Sequence, residues 1–177
     1  MQKEVMFAGF GGQGILMMGK LLAHAAMEQG FEVIWIPSYG PEMRGGTAYC
    51  MVVISDKPIG SPIIKNPQHL VAMNRPSLEK FASTVKPGGI ILINSSLIPI
   101  KSGREDVDEF IVPVNNIAID IGNVRIANIV ALSAFVARSS IVSSELLEKA
   151  VSEEFNEKKQ FIYMNMEAVR QGKMAAD

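Results

Sequence analysis

This chain of 177 residues has little of several things that would declare a chemistry outright. It contains one cysteine, Cys50, and two histidines, His24 and His69. One thiol cannot form an internal disulfide, hold an iron–sulfur cluster unaided or complete a structural zinc site with two imidazoles. A reducing, cytoplasmic setting is therefore expected. Cys50 sits in the apolar stretch "TAYCMVVIS" (47–55) and reads as a packed core thiol rather than a nucleophile. Excess charge is missing too: 17 basic against 18 acidic residues, with no basic run longer than two, gives no footprint for nucleic acid. The longest apolar stretch, "IANIVALSAFVA" (126–137), falls short of the ~20 residues a membrane-spanning helix needs. It reads as a buried core helix. Lys3 and Glu4 lead straight into a short strand, without the apolar region of a signal peptide. No Ser/His/Asp set, paired carboxylates or metal-ligand spacing stands out. No catalytic or metal residue is therefore assigned to this chain.

What is present is a globular composition, 48% hydrophobic and 20% charged, sized for one domain over residues 1–177. Strands are expected at 4–8, 31–37, 47–55, 69–74, 90–94 and 109–114. Pro113 places the last of these near a sheet edge. Helices are expected at 12–29, 77–85, 123–138 and 144–155, with a partly exposed helical segment at 156–172. Apolar residues Ile15, Met18, Leu22 and Ala26 recur at helical spacing, and Gly30 supplies a stop. Alternating strands and helices predict a three-layer α/β/α, Rossmann-like sandwich around a mostly parallel sheet. The 47–55 strand, reached without a helix, is the one open to antiparallel pairing.

The stretch "AGFGGQGIL" (8–16) reads G-x-G-x-x-G through Gly9, Gly11 and Gly14, with Gly12 in addition. A strand, a tight glycine turn and a helix start make an anion site, because free amides and the helix dipole point at the ligand. A dinucleotide site needs an acid about twenty residues on to hold the ribose. Here the second strand ends Ile36-Pro37-Ser38-Tyr39, and the nearest acid, Glu42, lies beyond a Gly-Pro turn. Three uses stay open: a dinucleotide, another anionic group or partner surface, and a turn without ligand. A second constellation is "SYGPEMRGG" (38–46). Tyr39 offers a ring and a hydroxyl, and Arg44 a planar fork for carboxylate or phosphate. Gly45 and Gly46 permit sharp backbone angles. Glu42 and Arg44 pairing with each other is the alternative. The ends of the first two strands are expected to share one rim, setting this loop beside the glycine turn.

The two loops in this order resemble the gamma subunit, or gamma domain, of 2-oxoacid:ferredoxin oxidoreductases. The resemblance continues through "VVISDKPIGSPIIKNPQHLVAMN", "KPGGIILINSSLI", "GNVRIANIVALSAF" (122–135, with Ser133 where glycine is common) and "SSELLEKAVSEEF". It implies an enzyme that decarboxylates a 2-oxoacid oxidatively, transfers the acyl group to coenzyme A and passes electrons to ferredoxin. It implies thiamine diphosphate, magnesium and iron–sulfur clusters on alpha-, beta- and delta-type partner subunits, and a gamma part concerned with coenzyme A and assembly. The "YGPEMRGG" form is more like the 2-oxoglutarate and 2-oxoisovalerate enzymes than the pyruvate enzymes. The isolated chain is then expected to be inactive, to bind no cofactor firmly and to expose apolar surface suited to a homodimer.

On that resemblance the cofactor-binding candidates are Gly9, Gly11, Gly12, Gln13, Gly14, Tyr39, Glu42, Arg44 and Gly45. Arg125 and Asn128, three apart on the expected long helix, are read as locking helix to loop. His24 is read as a helix-surface residue and His69 as structural. Two other functions remain in view: a stand-alone NAD(P)-dependent oxidoreductase, resting on the glycine pattern alone, and an interaction module without ligand.

Overall fold

Residues 1–39, 47–61, 63–156 and 159–176 are described by the computed structural model. The order of elements is β1 (Gln2–Phe10), α1 (Ile15–Glu28), β2 (Glu32–Tyr39), β3 (Thr47–Ser55), β4 (His69–Ala72) and α2 (Arg75–Phe81). Then come β5 (Ile90–Asn94), β6 (Asp108–Val112), α3 (Val114–Ile121), α4 (Ala127–Ser139), α5 (Ser144–Glu154) and α6 (Lys159–Met174). The strands form one six-stranded sheet in the order β2-β3-β1-β4-β5-β6. β1, β4, β5 and β6 pair in parallel, while β3 runs antiparallel to both neighbours, β1 and β2. The architecture is the expected mixed α/β one, and β3, only seven residues beyond β2 in sequence, is the reversed strand.

The two faces of the sheet are covered unequally. Successive residues of β1 point to opposite sides. Val5 and Phe7 pack with α1, α3, α4, α5 and α6, while Met6 and Ala8 pack with α2 and the irregular segments around it. All four are buried, which is why the strand reads as an unbroken apolar run. On the helical side Phe7 meets Phe135 of α4 edge-on, ring centroids 6.2 Å apart. There, too, α1 lies close enough to β2 and β3 that a Cβ on Gly19 would come within 2.5 Å of Cys50 Sγ and 2.7 Å of Trp35 Nε1. Cys50 is fully buried, and burial pushes its thiol up to about 12, so it stays a neutral packing group.

Most element boundaries lie within a few residues of expectation. The helix expected from residue 12 begins at Ile15, after the glycine turn. The helix expected over 123–138 is broken: Val124–Ile126 form a 3-10 turn and α4 proper begins at Ala127. α3 was not expected at all. Its sequence, VNNIAIDI, is β-branched and follows an apolar strand. Its ends define it instead. Pro113 precedes its first turn, and Gly122 closes it with φ 115°, accepting the left-handed turn that a side chain resists.

At the amino-terminal edge, His69 opens β4 with 5% exposure. Its Nδ1 accepts the Ile90 backbone N–H at 3.1 Å, tying β4 to the start of β5. Its ring packs 5.6 Å from Phe135. Burial, helped by the Lys3 charge and opposed by Glu4, lowers its pKa to about 4. The neutral ring is the native form, so the unfolded chain takes up the proton first. Stability is therefore full above about pH 6.5 and falls as the pH drops toward 4. Denaturant titrations should show a loss of about 3 kcal/mol from His69 between those limits. His69→Gln should remove that component of the pH dependence, whatever its effect at pH 7.

Candidate functional site

The glycine turn joins β1 to α1 at the carboxyl edge of the sheet. The space beside Gly9 is taken by another side chain of the turn: a Cβ there would stand 2.6 Å from Gln13 Oε1 and 3.0 Å from Met73 Cβ. Gln13 Oε1 accepts the Phe10 N–H at 2.6 Å, and Gln13 Nε2 donates to the Met73 carbonyl at 3.2 Å. One carboxamide thus spans the gap between the ends of β1 and β4, where an open α/β sheet usually admits its ligand. Both ends of that amide are engaged within the chain.

A second carboxamide continues the link. Asn94, fully buried at the end of β5, donates through Nδ2 to the same Met73 carbonyl at 3.2 Å and to Asn115 Oδ1 at 2.8 Å. Its Oδ1 accepts the Ser96 N–H at 3.2 Å. A backbone carbonyl only accepts and a backbone N–H only donates, so these contacts fix which end of Asn94 is nitrogen. Asn115, in the first turn of α3, must then turn its oxygen toward Asn94, leaving its NH₂ group without a hydrogen-bond partner among the described residues. Asn94 and Asn115 were not singled out from sequence, where a lone asparagine at a strand end carries no signal of its own.

Asn115 lines a pocket of about 180 Å³ together with Gly12, Gln13, Met73, Val124 and Arg125. Arg125 is exposed on the 3-10 turn before α4, and its guanidinium has no ion-pair partner among the described residues. Asn128, in contrast, is 6% exposed in the first turn of α4, with Nδ2 3.5 Å from the Gly14 carbonyl. The two residues read as a pair from sequence therefore diverge: Asn128 locks α4 against the glycine turn, and Arg125 faces the pocket. Gly14 is the N-cap of α1 at φ 72°, and no side chain caps that helix. The free amides of its first turn add partial positive charge at this end.

The remaining candidates stand as follows. Gly11 lies in the turn. Tyr39 ends β2 opposite Ala48, and Gly9 stands opposite Ala48 from the other side, in β1. The ends of β1 and β2 share one edge as expected, but β3 lies between them and holds them about 10 Å apart. Glu42, Arg44 and Gly45 lie outside the described residues. His24 is on the surface of α1, 3.4 Å from Glu153. Among the described residues no three His, Cys, Asp or Glu side chains are placed to hold a metal ion, and no helix is long and apolar enough to cross a membrane.

Gly12 and Gly14 offer a contrast that tests this geometry. A Cβ on Gly12 (φ 95°) meets nothing within 4 Å, whereas one on Gly14 would lie 2.4 Å from Asn128 Nδ2. Gly12→Ala should cost about 1 kcal/mol, from the left-handed backbone alone. Gly14→Ala should cost a further 1–3 kcal/mol for the clash. Equilibrium denaturation of the two variants checks the difference. Equal losses would mean that Asn128 does not press on the turn.

Known proteins with this arrangement agree with one another. The chain is 43% identical over 170 residues to a ketoisovalerate oxidoreductase subunit of Methanothermobacter thermautotrophicus, covering 96% of this chain and 35% of that protein. It thus spans about a third of the length of the curated relatives it first matches. A solved keto/oxoacid ferredoxin oxidoreductase gamma subunit from Geobacter sulfurreducens superposes with a TM-score of 0.89 at 33% identity, over 99% of this chain and 97% of the other. The 2-oxoglutarate:ferredoxin oxidoreductase of Magnetococcus marinus, solved with 2-oxoglutarate, coenzyme A and succinyl-CoA, gives 0.90 at 25% identity, over 99% of this chain and 31% of that one. The family model for pyruvate ferredoxin/flavodoxin oxidoreductase matches residues 4–175. With nearly its whole length matched, this chain belongs to the pyruvate ferredoxin/flavodoxin oxidoreductase family.

Proposed function

We propose that this chain is the gamma-type subunit of a multi-subunit 2-oxoacid:ferredoxin oxidoreductase, with residues 1–177 acting as one domain that receives coenzyme A and joins the assembly. The reaction is the oxidative decarboxylation of a 2-oxoacid to its acyl-CoA with reduction of ferredoxin. The gamma subunit of the Geobacter protein and the ketoisovalerate subunit support the role. The resemblance of the 38–46 loop supports 2-oxoglutarate or 2-oxoisovalerate as substrate. Thiamine diphosphate, magnesium and the iron–sulfur clusters are assigned to alpha-, beta- and delta-type partners. Among the described residues no three His, Cys, Asp or Glu side chains form a donor set for a metal ion.

The observation that carries the coenzyme A reading is the polarity of the small pocket. Asn115 presents its NH₂ group because its oxygen is held by Asn94. Among the described residues, Arg125 brings the one cationic side chain that lines the pocket, and no carboxylate lines it. A pocket that offers donors and a cation suits a phosphate or pyrophosphate group. Its volume, about 180 Å³, fits such a group and not a whole cofactor. The rest of coenzyme A would then lie over the rim, toward partner chains. A dinucleotide fits less well, since Gln13 occupies the crevice between β1 and β4.

Calorimetric titration of coenzyme A into the assembled enzyme tests this. Arg125→Ala should raise Kd by about tenfold, which is ~1.4 kcal/mol. Asn115→Asp, which puts a negative charge where the NH₂ group was, should raise it further. Adding salt should weaken the wild-type interaction more than that of Arg125→Ala. Unchanged Kd values in both variants would remove the pocket from coenzyme A binding.

A further inference from the structure

The layer on the α2 side of the sheet is incomplete. β3 ends at Ser55, opposite Gln2, and β4 begins at His69, opposite Val5, so both lie at the same edge of the sheet on either side of β1, and their link is not a parallel crossover that would lay a helix over the face. Here the chain passes from β3 to β4 through residues 56–68, which carry Pro58, Pro62 and Pro67. Proline inside a helix costs about 3 kcal/mol, and the described residues of this link are not helical. The β2–β3 half of the face is left with a cleft of about 540 Å³. Ile36, Tyr49 and Met51 line it from the sheet, Phe81 from α2, and Ile63 and Ile64 from the link. Ile63 is 78% exposed. Lys65 also lines the cleft, and Lys80 lies 5.0 Å from the centroid of the Phe81 ring. Neither lysine has a carboxylate partner among the described residues.

We propose that this cleft seats an amphipathic helix of a partner subunit, with an apolar stripe on the floor and acidic residues flanking it beside Lys65 and Lys80. The proposal rests on the subunit reading above. Three observations select this occupant. The cleft lies on the face of the sheet rather than along its edge, so side chains and not strand pairing must fill it, as in helix-in-groove recognition. Its cations ask for carboxylates, which a second copy of the same surface would not bring: a two-fold contact would set lysines near lysines. Lastly, in the Methanothermobacter and Magnetococcus proteins the matching region is only 35% and 31% of the polypeptide. There this fold shares its chain with about twice its own length of other protein. The opposite face is already covered by α1 and α3–α6.

The test uses the assembled oxidoreductase containing this chain. p-Benzoylphenylalanine replaces Ile63 in one preparation and Val124, exposed at the other rim, in a second. Irradiation should join position 63 to a single partner chain, at a peptide with acidic residues flanking apolar ones at helical spacing. Ile63→Glu should lower the fraction of chain recovered in the complex on the order of tenfold, and Lys65→Glu by about threefold. Both side chains are exposed, so the isolated variants should keep the wild-type melting temperature. Failure of the wild-type chain to co-purify with any partner defeats the subunit reading itself. If the complex forms, three results overturn the helix seat and leave the subunit reading standing. These are unimpaired assembly of both variants, a position-63 probe that joins nothing, and one that joins a second copy of this chain.

Discussion

The reversed strand β3 is the constraint on which the rest of the fold depends. It pairs with β1 over nine residues, from Gln2↔Ser55 to Phe10↔Thr47, and with β2 on its other side. Inserted there, it pushes β2 to the edge of the sheet and sets Tyr39 one strand away from the glycine turn. Only seven residues, 40–46, separate β2 from β3 in the sequence. Because β3 ends at the edge where β4 begins, the link between them needs no crossover helix, and Ile63, Ile64 and Lys65 of this proline-bearing link lie over the lightly covered face instead. The separation of Tyr39 from the glycine turn follows from this one antiparallel pairing.

The carboxyl edge is organised by neutral groups. Gln13, Asn94 and Asn115 connect β1, β4, β5 and α3 around the Met73 carbonyl; backbone atoms dictate the orientations of Gln13 and Asn94, and Asn94 in turn dictates that of Asn115. Carboxamides do not titrate, so this scaffold keeps its donor pattern across the range in which histidines and carboxylates change charge. The amino-terminal edge is built differently. There Glu4, 3% exposed, accepts from Lys86 at 2.8 Å, and His69 is held neutral beside it. The buried His69 thus lies at the end of the sheet remote from the candidate site.

The sequence made the sheet and most helices legible because their signals are local. Continuous apolar runs mark buried strands such as 90–94, glycine marks the end of α1, and the spacing of Ile15, Met18, Leu22 and Ala26 marks its buried face. α3 was illegible because β-branched residues argue for a strand, while the features that make it a helix are its two ends and the packing of Ala118. The site was half legible. The glycine turn and Arg125 stand out in one dimension. The asparagines that orient the pocket do not, since Asn94 and Asn115 matter only through partners distant in sequence. Arg125 and Asn128 show the converse: helical spacing put them on one face, and the 3-10 turn before Ala127 separated them.

The close packing of α1 on the edge strands has a spectroscopic consequence. The chain has one tryptophan, and Trp35 lies on the helical side of β2, its indole against the backbone of α1 at Gly19. The cleft is on the opposite side of the sheet, and the small pocket lined by Asn115 and Arg125 is at its carboxyl edge. Intrinsic emission from this protein therefore reports the seating of α1 on the sheet. A ligand or helix arriving at either surface can be optically silent at that indole while binding fully.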